Sequence, residues 1–266
     1  MFHPQKTVAA AAAEAKRAVR RLARPAGEFD ASRYFRGAHD LGFHNTGAGP
    51  LRALARAIHA AQADRWGVND AMAFADALMP DRYLEVKAIG IEVVARYRRD
   101  FAPALLPRWK RWLSSDYSTN WATTDEMCGV LIGPLLVGHP TLAPRMQAWS
   151  AHRNMWVRRA SIVGLLPLVR RGGGVDLVYE IAERLHPDGN DLIHKAVGWA
   201  LREAGKVDAK RLEGYLRAHV GVIPRTTFRY AIERFPPAAR RRLLQLRPTP
   251  NLQPPNLQPL TSNPRS

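Results

Sequence analysis

The sequence predicts an all-α protein, built as a right-handed HEAT-like solenoid of about six helix pairs. Apolar residues recur with helical spacing along almost the whole chain, and no stretch alternates with period two long enough to indicate a strand. The connections are short, and most contain Pro, Gly or Asp-Gly, which end helices. A paired-helix unit recurs roughly every 35–45 residues, a spacing typical of HEAT-like arrays. The solenoid is inferred from this rhythm, because no repeated motif is visible.

The N-terminal segment, residues 6–24, is alanine-rich and basic, and Pro25 ends its helical pattern. A transit peptide can have this composition, but an ordinary helix is the preferred interpretation. A short helix capped by Asp30 or Ser32 is predicted to follow it.

Later helices have clear boundary signals: Pro50 opens one, Asn69 caps the next, Pro80 ends it, and three consecutive glycines follow Arg171. The predicted helices are residues 51–66, 70–78, 82–97, 101–113, 120–137, 142–151, 155–170, 175–185, 192–204, 209–218 and 226–235. The predicted core includes Leu84, Ile91, Leu131, Ile162, Leu165 and Val197. Together they form one predicted domain, residues 1–246, and the Pro-rich residues 247–266 form a predicted disordered tail.

Charge is the first indication of function. The 266 residues carry 40 Lys and Arg against 23 Asp and Glu, a net charge of +17. Residues 151–171 contain five arginines and no acid, and residues 206–247 contain eleven basic residues against three acids. Such an excess predicts attraction to a polyanion, with nucleic acid first and an anionic membrane surface second. A generally Arg- and Ala-rich proteome would also produce it.

The chain has one cysteine, Cys128, so neither an internal disulfide nor a cysteine-based metal site can form. We interpret Cys128 as a buried apolar side chain, and its isolation suits a reducing, cytoplasmic setting. No apolar run approaches the ~20 residues of a membrane span. The nine histidines show no ligand spacing, and no cofactor, metal or membrane association is expected. A monomer is expected.

Three predicted helices each place a tryptophan beside a charged residue. Trp121 shares a helix face with Asp125, Trp156 with Arg159, and Trp199 with both Lys195 and Arg202. Three such faces could enclose one carboxylate in an aromatic cleft. The alternative for each pair is a core tryptophan and a solvated or capping charge.

Those same segments, NWATTDEM, NMWVRRA and KAVGWALRE, resemble the AlkD-type DNA alkylation repair family of HEAT-repeat DNA glycosylases. The resemblance runs from about Tyr34 to Leu246, and KAVGWALRE is its most specific part. It implies that Asp125 is the catalytic carboxylate and that Arg159, or less favourably Arg158, holds the DNA backbone. Trp121 and Trp199 would be the walls of the cleft. Together with the helix-face spacing, it leads to seven predicted DNA-contacting side chains: Trp121, Trp199, Arg159, Arg158, Trp156, Lys195 and Arg202.

By this resemblance the chain would hydrolyse the N-glycosidic bond of cationic alkylated purines, 3-methyladenine and 7-methylguanine, in duplex DNA. Such a base is already a good leaving group, and a carboxylate can stabilise the oxocarbenium ion that forms. Two alternatives remain open: a non-catalytic HEAT module that binds damaged or branched DNA, and a protein-binding solenoid whose charge is incidental.

Overall fold

The structure is a computed structural model that describes residues 7–27, 30, 32, 35, 40–115 and 117–246. The predicted all-α helical-repeat fold is confirmed. The helices are α1 (Val8–Arg21), α2 (Ala48–Gln62), α3 (Val68–Leu78), α4 (Leu84–Val94), α5 (Leu105–Ser114), α6 (Trp121–Met127), α7 (Gly133–Gly138), α8 (Arg145–Ser150), α9 (Met155–Val163), α10 (Leu166–Val169), α11 (Val175–Leu185), α12 (Asp191–Val207), α13 (Ala209–Ala218), α14 (Arg225–Ala231) and α15 (Pro237–Leu244). A 3₁₀ helix (Ala95–Asp100) extends α4, another (Pro140–Leu142) precedes α8, and a π-helical turn (Cys128–Ile132) joins α6 to α7.

The helices form two rows. In the first, which we call the front row, α2, α4, α6, α9, α12 and α14 each pack against the next. The back row, α1, α3, α8, α11 and α13, packs behind it, because α3 contacts α4, α8 contacts α9, and both α11 and α13 contact α12. The front row therefore carries the three tryptophan-bearing helices, α6, α9 and α12, side by side at its centre.

These three central helices begin in the same way. Asn120, Asn154 and Asn190 are their N-caps, and each side-chain oxygen accepts a hydrogen bond from a backbone N–H in the first turn. The donor–acceptor distances are 2.8, 2.8 and 2.9 Å. An asparagine cap fixes where a helix starts by satisfying one of its unpaired amides. The shared cap sets the start of three consecutive front-row helices, and with it the position of the residues that follow.

A glycine allows α14 to lie unusually close to α12. A Cβ built on Gly198 would come within 2.5 Å of the Tyr230 Cβ and 2.6 Å of the Thr227 carbonyl oxygen. The Thr227 hydroxyl donates a hydrogen bond to the His194 carbonyl oxygen at 2.9 Å, which ties the two helices together next to this contact. The glycine of the KAVGWALRE segment is therefore required by backbone packing.

Several sequence predictions are corrected by the structure. The predicted helix 120–137 is interrupted by the π-helical turn, and 155–170 is divided between α9 and α10. Helix α15 was not predicted, because its arginine-rich sequence has little apolar periodicity. Leu84 was wrongly assigned to the core: it is the first residue of α4 and is partly exposed at the front row. The short helix after Asp30, apart from single positions, and the tail 247–266 lie outside the described residues.

The other predicted core residues are buried, with zero exposure for Ile91, Leu131, Ile162, Leu165 and Val197. Cys128 is also fully buried, as predicted, and burial raises the pKa of its thiol. Within the described residues no single helix has the length and apolar character to cross a membrane. Two consecutive helical segments of the described chain, residues 121–138 and 140–150, reach that length and apolar character only when taken together, and the chain bends by 110° between them.

Candidate functional site

Asp125 and Arg159 face each other across the α6–α9 contact at the centre of the front row. The Arg159 Nε donates to Asp125 Oδ1 and its Nη2 donates to Oδ2, both at 2.7 Å. This is the bidentate arrangement in which a planar guanidinium matches a carboxylate, and it fixes the orientation of both groups. The carboxylate plane of Asp125 is therefore set by its partner on the next helix.

Arg159 also reaches the third central helix. Its remaining terminal nitrogen, Nη1, donates to the backbone carbonyl oxygen of Leu192 in the first turn of α12. The residue is only 5% exposed. One buried guanidinium thus connects α6, α9 and α12, the three helices that the sequence singled out, and every nitrogen of its head has a protein acceptor.

Asp125 remains open to solvent on one side, since 18% of its side chain is exposed compared with 6% for Arg159. An ionised carboxylate offers about four lone-pair directions, and the bidentate pair uses two of them. The other acceptor positions can therefore serve a group that approaches from the front of the row. The geometry is that of a fixed, partly exposed anion.

The seven tryptophans divide into two groups. Four are core residues with at most 8% exposure: Trp66, Trp109, Trp112 and Trp149. The other three, Trp121, Trp156 and Trp199, are partly exposed, and they are the three that the sequence placed beside charged residues. All three lie on central front-row helices.

Trp121 has an aromatic neighbour that the sequence analysis missed. The ring of Phe35 stacks on it with centroids 5.2 Å apart and planes inclined by 14°, and Phe35 in turn lies 5.2 Å from Phe43. Because Phe35 is more than eighty positions away in the sequence, spacing could not have indicated the contact. Phe35 extends the indole into a longer aromatic surface beside Asp125.

Arg158 points into the protein. Its Nε donates to Asp188 Oδ2 at 2.6 Å, its Nη2 donates to Oδ1 at 3.4 Å, and its Nη1 donates to the carbonyl oxygens of His152 and Arg153. These bonds connect the loop before α9 to the loop before α12. The contacts are those of a residue that fixes the two helix starts.

The two remaining cations predicted from KAVGWALRE also have carboxylate partners. Lys195 lies 2.8 Å from Asp191 one turn earlier in α12, and 40% of its side chain is exposed. Arg202 pairs with Glu233, which links α12 to the segment that follows α14. Lys195 is thus at the surface, whereas Arg202 is a more enclosed link between helices. Whether these predicted side chains contact DNA stays a prediction.

A small apolar cavity adjoins the site on the α4 side. It has a volume of about 210 Å³, lies between α2, α4 and α6, and has three glutamates in its wall: Glu85, Glu92 and Glu126. Glu92 pairs with Arg52 at 3.5 Å and with Arg96 at 3.3 Å. Glu85 accepts a hydrogen bond from the His44 backbone N–H at 2.9 Å, whereas Glu126, the neighbour of Asp125, has no hydrogen bond or ion pair with another described residue.

Burial raises the pKa of Glu126 to about 8, and the negative charge of Glu92 contributes in the same direction. Arg52 acts in the opposite direction but does not cancel these effects. Adjacent carboxyl groups of α6 therefore differ in environment: Asp125 is fixed by an arginine, while Glu126 lies beside an apolar wall that raises its pKa. The sequence alone could not distinguish them, since the difference comes from neighbours on α2, α4 and α9.

Comparison with known proteins gives an independent indication. Residues 15–235 match the family model described as DNA alkylation repair enzyme. No curated protein matches the chain significantly. A solved structure, described as a predicted DNA alkylation repair enzyme from Enterococcus faecalis, superposes with a TM-score of 0.68 at 18% identity, covering 77% of this chain and 92% of that one. That likeness supports the fold, and the family match spans most of the sequence. The chain belongs to the DNA alkylation repair enzyme family, so its role lies in the repair of alkylated DNA.

Proposed function

We propose that the protein is a DNA glycosylase that hydrolyses the N-glycosidic bond of cationic alkylated purines, such as 3-methyladenine and 7-methylguanine, in duplex DNA. The observation that carries the proposal is the Asp125–Arg159 pair, which presents an oriented and partly exposed carboxylate at the centre of the front row. Family membership supports alkylated DNA as the substrate.

The chemistry requires an anion in a fixed place. When the bond from C1′ to the alkylated base nitrogen breaks, both electrons leave with the base, which becomes neutral. The positive charge moves to the deoxyribose as an oxocarbenium ion. A preorganised carboxylate near that sugar stabilises the charge as it develops and can orient the water that adds to C1′. The products are the free base and an abasic site, and the water's proton is released.

Arg159 is proposed to act through Asp125. Its two hydrogen bonds hold the carboxylate plane, and its bond to the Leu192 carbonyl oxygen holds the guanidinium itself. Such orientation removes reorganisation from the reaction step, which is where electrostatic catalysis gains most. Arg159 is therefore a positioning residue in this proposal, while Asp125 is the catalytic residue.

Trp121 and Trp199 are proposed as the aromatic surfaces that hold the damaged nucleotide. Both are partly exposed on front-row helices that Arg159 connects. The face of an indole attracts a cation, and the lesion is cationic before the reaction in its base and during the reaction in its sugar. The indoles are therefore proposed to stabilise both the bound substrate and the transition state, whereas Asp125 is proposed to act mainly in the transition state.

A second candidate is a non-catalytic module that binds damaged or branched DNA. It is favoured by one observation, that both oxygens of Asp125 are already engaged by Arg159. In that case the pair would be an ordinary connection between α6 and α9.

Product analysis separates the two functions. Purified protein is incubated with duplex DNA that contains N-methylated purines, and both the free base and abasic sites are quantified. Release of methylated base with an equal number of abasic sites is the expected result. Tight binding of the same DNA with no base released above the spontaneous rate contradicts the glycosylase and supports the binding module.

A further inference from the structure

A second feature of the front row lies at some distance from Asp125. Between α2 and the 3₁₀ helix that follows α4 is a cavity of about 470 Å³, lined by Arg56, His59, Arg96, Arg98 and Arg99. Four arginines and a histidine thus share one wall, and none of the lining residues is acidic. The sequence does not indicate this cluster, because its members come from two separate helices.

Most of this positive charge is not neutralised by the protein. Arg56, Arg98 and Arg99 are exposed, and within the described part of the chain none of them has a carboxylate partner. Arg96 contacts Glu92 at 3.3 Å, while its Nε is enclosed without a hydrogen-bond partner. Arg98 and Arg99 could be explained by the preference for cations at a helix C-terminus. That preference does not account for Arg56 and His59, which reach the same cavity from another helix.

The guanidinium group matches the chemistry of a phosphodiester. Its planar set of N–H donors bonds phosphate oxygens in pairs, and arginine clusters are a common phosphate-binding arrangement. A cavity of this size accepts a phosphate together with part of its sugar. The cavity therefore fits a phosphate of a nucleic acid backbone better than a small neutral ligand.

A comparable basic cavity lies at the other end of the front row. It has a volume of about 480 Å³ and is lined on α12, α14 and α15 by residues that include Lys195, Arg229 and Arg240. Unlike the first cavity it also has an acid in its wall, Glu233, which pairs with Arg202. Arg229 and Arg240 are exposed and have no carboxylate partner among the described residues. Thr226 and Tyr230 also line this space. The Thr226 hydroxyl donates to Asp191 Oδ1 at 2.9 Å, so Tyr230 is the neutral side chain that can donate to a phosphate or a sugar.

The order of the helices gives the spacing between the two cavities. The first lies between the first two front-row helices and the second between the last two, so four helix-to-helix steps separate them. Packed helices lie 8–10 Å apart, which makes the separation about 32–40 Å. Each base pair of B-DNA advances about 3.4 Å, so the two cavities are about 9–12 base pairs apart. This distance is close to one helical turn of about 10 base pairs, after which a strand again faces the same side of the duplex.

We propose that the two cavities are a matched pair of phosphate sites that grip one duplex about one helical turn apart, with the Asp125–Arg159 pair midway between them. The midpoint follows from the order of the row, because Asp125 and Arg159 lie on its third and fourth helices. The central lesion position rests on the proposed glycosylase function, whereas the two-point grip on duplex DNA does not.

The grip is tested with undamaged duplexes of about 6 to about 20 base pairs and four forms of the full-length protein. The forms are wild type, Arg98→Ala/Arg99→Ala, Arg229→Ala/Arg240→Ala and the control Arg145→Ala/Arg184→Ala. The control removes two exposed arginines from the back row, neither of which has a carboxylate partner among the described residues. Dissociation constants are measured by fluorescence anisotropy at several salt concentrations. Wild-type affinity is expected to rise steeply up to about 10–12 base pairs and only slowly beyond, since a shorter duplex reaches one cavity at a time.

Each front-row double variant should lose affinity by about 10–50-fold near 100 mM salt and lower the log–log salt slope by about 1–2. It should also lose the steep rise in affinity near one turn, while the control variant keeps it. Equal affinity of the front-row and control variants would overturn the proposal, and so would a duplex of about 6 base pairs that binds wild type as tightly as one of about 12.

The outcome is independent of catalysis. If base excision is absent but the length dependence and the variants behave as described, the two-point grip stands and the glycosylase fails. If excision is present but the front-row variants bind like the control, the grip fails and the glycosylase stands.

Discussion

Arg159 holds Asp125 through two hydrogen bonds of 2.7 Å across the α6–α9 contact, and both residues belong to the central pair of front-row helices. The resemblance found in the sequence implied that Arg159 contacts the DNA backbone. In the structure its guanidinium nitrogens instead bond Asp125 and the Leu192 carbonyl oxygen. The two roles make different predictions for the same substitution.

Arg159→Lys keeps the positive charge but removes the planar pair of donors, so the orientation of Asp125 is lost. If Arg159 is a positioning residue, the single-turnover excision rate should fall by about 10–100-fold, with DNA affinity and its salt slope nearly unchanged. Rates and dissociation constants are measured on the same alkylated duplex. An unchanged rate with weaker DNA binding would instead identify Arg159 as a phosphate contact, because lysine keeps the charge but cannot bond a phosphate with a planar pair of donors.

Trp121→Ala should impair both DNA affinity and the excision rate, because the indole holds the nucleotide before and during the reaction. A lost base-stacking platform costs about 1–3 kcal/mol, so an affinity loss of about 5–150-fold is expected. Phe35→Ala is the matched test, since it removes the stacked ring and leaves the indole in place. If both variants bind alkylated DNA as wild type does, the Phe35–Trp121 stack is only structural.

Gly198→Ala should destabilise the fold, because the added Cβ would meet α14 at 2.5 Å and 2.6 Å, and one of these atoms is a backbone oxygen that cannot move aside alone. Overpacking of this kind costs about 1–3 kcal/mol in the free energy of unfolding. Gly214→Ala is the control: nothing lies within 4 Å of its added Cβ in α13, so a gain of about 0.5–1 kcal/mol is expected from helix propensity. Urea unfolding measures both, and equal effects of the two substitutions would contradict the close-packing argument.

Glu126 predicts a pH dependence of stability. Its folded-state pKa is raised from 4.5 to about 8 by burial and by Glu92. The folded state therefore binds the proton more tightly than the unfolded chain, so this carboxyl group favours folding most below pH 4.5. That contribution is lost as the pH rises through about 8. Stability should fall over this window.

The glutamine in Glu126→Gln cannot ionise, so the variant should lack the part of the decline in stability that Glu126 causes. At pH 9 it should be about 1–3 kcal/mol more stable than wild type. This value is discounted because the Glu126 side chain is only partly buried. Asp64→Asn removes an exposed charge and controls for net charge. Urea unfolding near pH 5 and pH 9 provides the comparison. A parallel decline of wild type and Glu126→Gln would contradict the assigned cause.

The sequence was sufficient for the class of fold and for most helices, because amphipathic periodicity and Pro or Gly boundaries are local signals. It also singled out the tryptophans that are partly exposed, since Trp121, Trp156 and Trp199 lie on the helix faces that carry charges. It could not distinguish Leu84 from the core residues, because the first turn of α4 has the same apolar character as the turns behind it.

What the sequence could not provide is contact between helices. The Asp125–Arg159 pair, the Phe35–Trp121 stack and the cavity of Arg56 and Arg98 all join residues that are distant in sequence. The ion pairs of Arg158 and Arg202 are likewise visible only in three dimensions. A basic segment therefore indicates where positive charge is present, while the structure indicates which of its cations are already paired with a carboxylate of the protein.

Asp125→Asn tests the catalytic role of the Asp125 carboxylate most directly. Asparagine keeps the shape and removes the negative charge, so single-turnover excision of 7-methylguanine should fall by about 10²–10³-fold, with DNA affinity unchanged or slightly higher. Asp188→Asn is the matched control, because Asp188 also accepts a two-point contact from an arginine, Arg158, away from the proposed site. If Asp125 is the catalytic carboxylate, the rate loss is specific to Asp125→Asn. Excision by Asp125→Asn at the wild-type rate would contradict this role.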